Sequence, residues 1–366
     1  MNKTALVAAL LLAPGMGMSM DVASAAPVEK DCASQGGGDS RALVTAANQF
    51  TRGLPDAQRA KLLKDLTRAN AIRWSNLPIG VVPRDGLRLG DLDATDDAAA
   101  RQLLKAALSA CGLTLLDEIR RADDFLIPLD KRRIGWDGRN YYLSILGTPG
   151  DEPWMLQVGG HHLAYNLTFN GKLPGATPMF LGTEPIRFTL QGREYQPLHA
   201  QSATMAQLAA AVAGHASARL SGTFTDVVKG VVVVFEPGKP PIGGTDTGYP
   251  HQYPTGDTDR GVRYGDLSAD GQTRVREAIE SYTRLPGEAI TRDLVAAYLA
   301  PAALADTFIG FSGATDLGKE GSYVRIDGPR IWMELVVQRA IALPTELHYH
   351  ALWRDKLADY GGEVGH

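Results

Sequence analysis

The stretch WMLQVGGHHLAYNLTFN, residues 154–170, decides how this chain is read. Bulky apolar residues flank two glycines and two histidines. Successive side chains along a strand point to opposite faces, so the glycine pair reads as a bend between two strands. Beyond it, His162, Ala164, Asn166 and Thr168 share one face, and His161, Leu163, Tyr165, Leu167 and Phe169 share the other. The second set is greasier and belongs to a core. Of the two histidines, His162 keeps company with Asn166 and is the better candidate for chemistry. His161 is expected on the tyrosine side.

A later stretch repeats the pattern. SYVRIDGPRIWMELVVQ, residues 322–338, aligns with 154–170 without a gap. In that register Gln157 faces Arg325, Gly160 faces Gly328, His162 faces Arg330 and Asn166 faces Glu334. Upstream, GLRLGDLDATD (86–96) matches GVRYGDLSADG (261–271) at six of eleven positions. Two amphipathic helical patterns follow each, with apolar residues at three- and four-residue intervals. The expectation is an α+β fold of two related helix-helix-antiparallel-sheet units, a pseudo-twofold internal duplication packed around one cleft. Residues 41–200 form the first unit. Residues 201–366 form the second, including a long loop at 236–270 rich in Gly, Pro, Asp and Thr. The plainer alternative is two unrelated segments sharing a Gly-Asp-Leu capping turn.

Residues 1–25 read as a signal peptide: Lys3, a short apolar run from Ala5 to Ala13, and Ala23-Ser24-Ala25 as a cleavage site. Residues 26–40 form a flexible tail. The apolar run is far shorter than the roughly 20 residues a bilayer requires, so a secreted or periplasmic protein with no membrane partner is expected. The net charge of −4 comes without a basic run, which argues against nucleic acid as a partner. Cys32 and Cys111 remain after processing. They form either one disulfide or a buried thiol and a mobile one.

The chemistry lies on polar stripes. Arg330, Trp332, Glu334, Val336 and Gln338 share a strand face, and an unpaired buried charge there would cost several kcal/mol. In LHYHALWRD, His348 and His350 stand two apart on a strand and project the same way. Two such imidazoles with a third histidine or a carboxylate make a three-point metal site. The expected ligands are His348, His350, His162 and His161. They would hold one divalent transition metal, zinc first and copper or iron next. Glu334 and His162 are the candidate catalytic residues. Gln157, Asn166, Arg325, Arg330 and Arg354 are the candidate groups for a small anionic substrate.

A metal-free polar site and a structural network between sheets are the competing readings of the same residues. The functional expectation is a metal-dependent enzyme, most simply a hydrolase. The alternatives are a copper or iron oxidoreductase, in which Tyr165, Tyr323 and Tyr349 would matter, and a non-catalytic small-molecule-binding protein. No GxSxG elbow occurs, and GGTDTG is followed by no P-loop lysine, so no nucleotide cofactor is expected. The oligomeric state is not legible in the sequence.

WSNLP (74–78), LGDL (89–92), PWMLQVGGHHLAYNLT, YVRIDGP and HYHALWRD followed by DYG (359–361) resemble a widespread, mainly bacterial family. It is known only as a domain of unknown function, number 3500 in that series. The resemblance covers nearly the whole mature chain and implies no particular reaction.

Overall fold

The computed structural model describes residues 40–131, 133–234, 239, 242–362 and 364. The signal-like segment and Cys32 lie outside the described residues. Cys111, for which the sequence leaves both a disulfide and a buried thiol open, is disulfide-bonded.

The first part of the chain runs α1 (Ser40–Gly53), α2 (Asp56–Leu62), β1 (Leu63–Lys64), α3 (Arg68–Ala71), β2 (Leu87–Arg88), α4 (Ala94–Ala107) and α5 (Ala110–Leu126). Strands β3 (Tyr142–Leu146), β4 (Trp154–Gly160), β5 (Leu163–Phe169) and β6 (Met179–Thr183) follow, then the small hairpin β7 (Phe188–Leu190) and β8 (Arg193–Tyr195). Next come α6 (His199–Val212), β9 (Val233–Val234), β10 (Ile242–Gly243) and β11 (Val262–Arg263). The last part holds α7 (Ala269–Thr283), α8 (Glu288–Tyr298), α9 (Pro301–Ala305), β12 (Phe308–Ser312), β13 (Tyr323–Asp327), β14 (Ile331–Arg339) and β15 (Leu347–Asp355).

Helix starts follow local chemistry. Asp93 caps α4 by accepting from Thr95 and Asp96 N–H, and Ser109 and Ser268 cap α5 and α7 through Gly112 and Gly271. DAQRAKLLKDLTRA spaces its apolar residues as a helix does, yet α2 ends at Leu62 and the next two residues form β1, paired in parallel with β3.

An α+β architecture with one large, mostly antiparallel sheet results. Eleven strands join in the order β1-β3-β4-β5-β6-β15-β14-β13-β12-β11, with β2 paired to β3. The two polar stripes therefore share one face of a continuous sheet, because β6 pairs with β15 and joins the earlier strands to the later ones. The sequence reading had not identified β6 as a strand. The opposite face packs on the helices in the principal core, which includes Leu156, Tyr165, Leu181, Met333, Ala351 and Trp353. On the polar face a second cluster, with Trp74, Phe180, Val336, Leu352 and Tyr360, surrounds the polar side chains. The segment expected as a long loop carries β10 and β11 and sends Asp246, His251 and Arg260 into this layer.

Arrangement of three buried histidines

His348 and His350 alternate onto the polar face of β15, opposite Gln338 and Val336 of β14. His162 arrives from the β4–β5 hairpin, where His161 and His162 form the turn between Gly160 and Leu163. His162 takes a positive φ of 62°, a conformation uncommon outside glycine and asparagine and costly to hold. Its backbone is held from both sides: its N–H donates to Asn76 O at 3.0 Å, and its O accepts from Gly182 N–H at 2.7 Å. Gly182 also makes room for the ring, since a Cβ there would stand 2.9 Å from His162 Cδ2. Gly182→Ala should displace that imidazole at a cost of about 1–3 kcal/mol. Chemical denaturation checks this, and a variant of unchanged stability would contradict it.

One ring nitrogen from each of His162, His348 and His350 lies within 4.8 Å of the others. The closest pair is His162 Nε2 and His348 Nε2, 3.0 Å apart. All three side chains are buried. His350 Nδ1 contacts Asp226 Oδ1 at 2.7 Å, which leaves its Nε2 buried without a partner. His348 Nδ1 and Glu184 Oε2 face each other at 3.9 Å, and both lack a hydrogen-bond partner. Burial, reinforced by the neighbouring imidazoles, holds His162 and His348 well below the ordinary histidine range. Burial pushes the Glu184 carboxyl up. Three buried imidazoles whose ring nitrogens converge form a donor set that could hold a metal ion.

His161 lies outside this converging group. Its ring stacks on His162 at 3.6 Å, and its Nδ1 contacts Asp123 Oδ1 at 2.6 Å. The Tyr141 hydroxyl lies 2.6 Å from His161 O and 3.0 Å from Asp123. Burial raises the Asp123 carboxyl, with His161 opposing. Sequence reasoning missed Asp123, Asp226 and Glu184. Asp123 had left a signal, because it occupies a core-facing position of α5 between Ile119 and Leu126.

The other candidates are placed apart from the imidazoles. Glu334 accepts from Val228 N–H (2.7 Å), Lys229 N–H (2.8 Å) and the Tyr323 hydroxyl (2.7 Å). Both its oxygens are thereby committed to anchoring the segment that carries Asp226. Arg354 is fully buried, bonded to Asp246, Asp359 and Lys229 O. Arg330 pairs with Asp355 at 2.6 Å. Arg325 donates to Asp259 O and stacks on Trp332. Gln157 and Asn166 bond each other at 2.9 Å on the far side of Phe180 and line a cleft there. Tyr165 and Tyr349 belong to the helix-side core.

No curated protein and no solved structure matches the chain. A family model described as "Protein of unknown function (DUF3500)" matches residues 37–362. With nearly every described residue inside that match, the chain belongs to the DUF3500 family.

Proposed function

We propose that His162, His348 and His350 form a transition-metal centre and that the protein is a metal-dependent enzyme, most simply a hydrolase. The observation that carries this reading is the convergence of three buried ring nitrogens, one of them the unpartnered Nε2 of His350. An all-nitrogen imidazole set suits zinc first, and copper or iron next. A divalent ion held by three protein ligands supplies Lewis acidity at its open position.

The surrounding residues orient the ligands. Asp226 fixes the His350 tautomer by accepting from Nδ1–H, and Glu184 stands where it can do the same for His348. Asp123 holds His161, whose ring braces His162. Asp226→Asn should weaken metal affinity roughly 10–100-fold, measured by competition against a chromogenic chelator. An affinity equal to wild type would remove Asp226 from the centre. The redox reading finds one support, the His161 stack continuing to Trp136 at 6.5 Å.

A hydrolase of this kind loses turnover of anionic nitrophenyl esters or phosphates on chelation and regains it with zinc. Turnover indifferent to chelation would contradict it. Secretion is part of the same reading, and its test is whether the mature N-terminus follows Ala25.

We also infer that the two halves derive from one duplicated unit. Matching registers support this. Arg88 pairs with Tyr142 as Arg263 does with Phe308, and Ser144 pairs with Gln157 as Gly310 does with Arg325. Gln157 pairs with Asn166 as Arg325 does with Glu334, and the halves meet at Met179 opposite Trp353.

A further inference from the structure

A cleft opens over β3, β4 and β5 beneath the segment from Lys64 to Gly86. This inner cleft has a volume of about 40 Å³ and is bounded by Asn70, Arg84, Tyr142, Ser144 and Gln157, among others. Lys64 and Asn70 also border a wider groove of about 480 Å³, walled by Asn48, Thr51, Asp65 and Thr148. The second volume is in the range of small-molecule sites, and the first admits only a small polar head.

The charges of the inner cleft do not balance. Lys64, Arg73 and Arg84 border it with one carboxylate, Asp85, and Arg73 already takes that carboxylate at 2.5 Å. Arg84 donates to the backbone oxygens of Ser75, Leu77, Val82 and Gly160, and its Nε is buried without a partner. Among the described residues, neither Arg84 nor Lys64 forms an ion pair. Burial pulls the Arg84 guanidinium down, and Asp123 opposes this only from beyond ion-pair distance, so a bound anion would relieve a costly buried charge. The hydroxyls of Ser144 and Tyr142 add donors in the same cleft.

We propose that this cleft binds the oxyanion head, carboxylate or phosphate, of a small molecule whose polar body lies in the outer groove. The site deepens the enzyme reading by supplying the anion-recognition group, and rests on that reading only for calling the ligand a substrate. The link between the two sites is the WSNLP segment. Trp74 and Ser75 wall the cleft, and Asn76 O holds the backbone of His162.

Titration calorimetry on the full chain after chelation tests binding apart from any ion, with inorganic phosphate and succinate as probes and glycerol as neutral control. One of the two anions should bind saturably, and which one binds identifies the head group. Lys64→Gln should weaken that binding roughly tenfold, the loss of one charge-assisted contact. Arg84→Gln should abolish it. Because Arg84 also ties down backbone, Ser144→Leu, which fills the inner cleft, decides the matter if Arg84→Gln fails to fold. Absence of saturable binding by either anion up to about 10 mM, or equal affinity in Lys64→Gln and Ser144→Leu, overturns the proposal. Binding that survives chelation alongside a failed metal analysis would leave the cleft standing without the enzyme.

Discussion

Replacing Arg354 with leucine should destabilise the fold by about 3–5 kcal/mol, the loss typical when a buried pair keeps only one partner. The guanidinium is wholly buried and serves three acceptors: Asp246 and Asp359, each at 2.7 Å, and Lys229 O at 2.7 Å. Asp246 in turn contacts His251 at 2.8 Å and accepts from the Tyr360 hydroxyl, which accepts from Trp74 Nε1–H at 2.7 Å. The carboxylates diverge around their shared cation. Burial would raise Asp246, but Arg354 and His251 outweigh it and hold it low. Burial lifts Asp359 to about 6, with Arg354 only partly offsetting it. Leucine removes the charge that makes both tolerable and frees the backbone oxygen of Lys229. Urea unfolding checks the loss, and a change under about 1 kcal/mol would mean that these carboxylates are neutral or solvated.

Acid should weaken the chelated protein through its histidines. Burial and neighbouring rings hold His162 and His348 well below the ordinary histidine value of 6.5. Below about pH 6.5 the unfolded chain takes up protons that the folded chain refuses. Their contribution is therefore intact above that pH. It falls with acid by up to about 1.4 kcal/mol per pH unit for each histidine. Asp359 works in the opposite sense. Its raised pKa, about 6, makes its contribution largest in acid and lost as pH rises through that value. Comparing wild type with His348→Gln separates the two. The stability difference should decline steadily from pH 6.5 downward, and a difference that stays flat from about pH 7.5 to 5 would show that His348 is not held neutral.

How much of this was legible in the sequence depends on what sets each feature. Strand alternation is local, so the division of 163–169 and 347–355 into an apolar and a polar face was readable. With it came the grouping of His348 and His350 and the preference for His162 over His161. The merging of the strands into one sheet was not readable, because it depends on β6, whose MFLGT carries no alternation and is buried throughout. The role of Glu334 was hidden for a related reason. Its partners are backbone amides of Val228 and Lys229, and amides have no residue-type signature. Arg84 sits in a PRDG turn that reads as exposed, yet the chain folds its guanidinium back onto carbonyls from Ser75 to Gly160. Asp226 meets His350 from 124 positions away, a contact that spacing cannot reveal.

The central claim is that three buried imidazoles hold one ion. Elemental analysis of tag-free protein tests it most directly, alongside His350→Ala and His162→Gly, the glycine chosen because it accepts the positive φ of that position. The account predicts stoichiometric transition metal in wild type and none in either variant, with both variants folded. Metal-free wild type whose melting temperature ignores added zinc and copper, or variants that retain their metal, would contradict it.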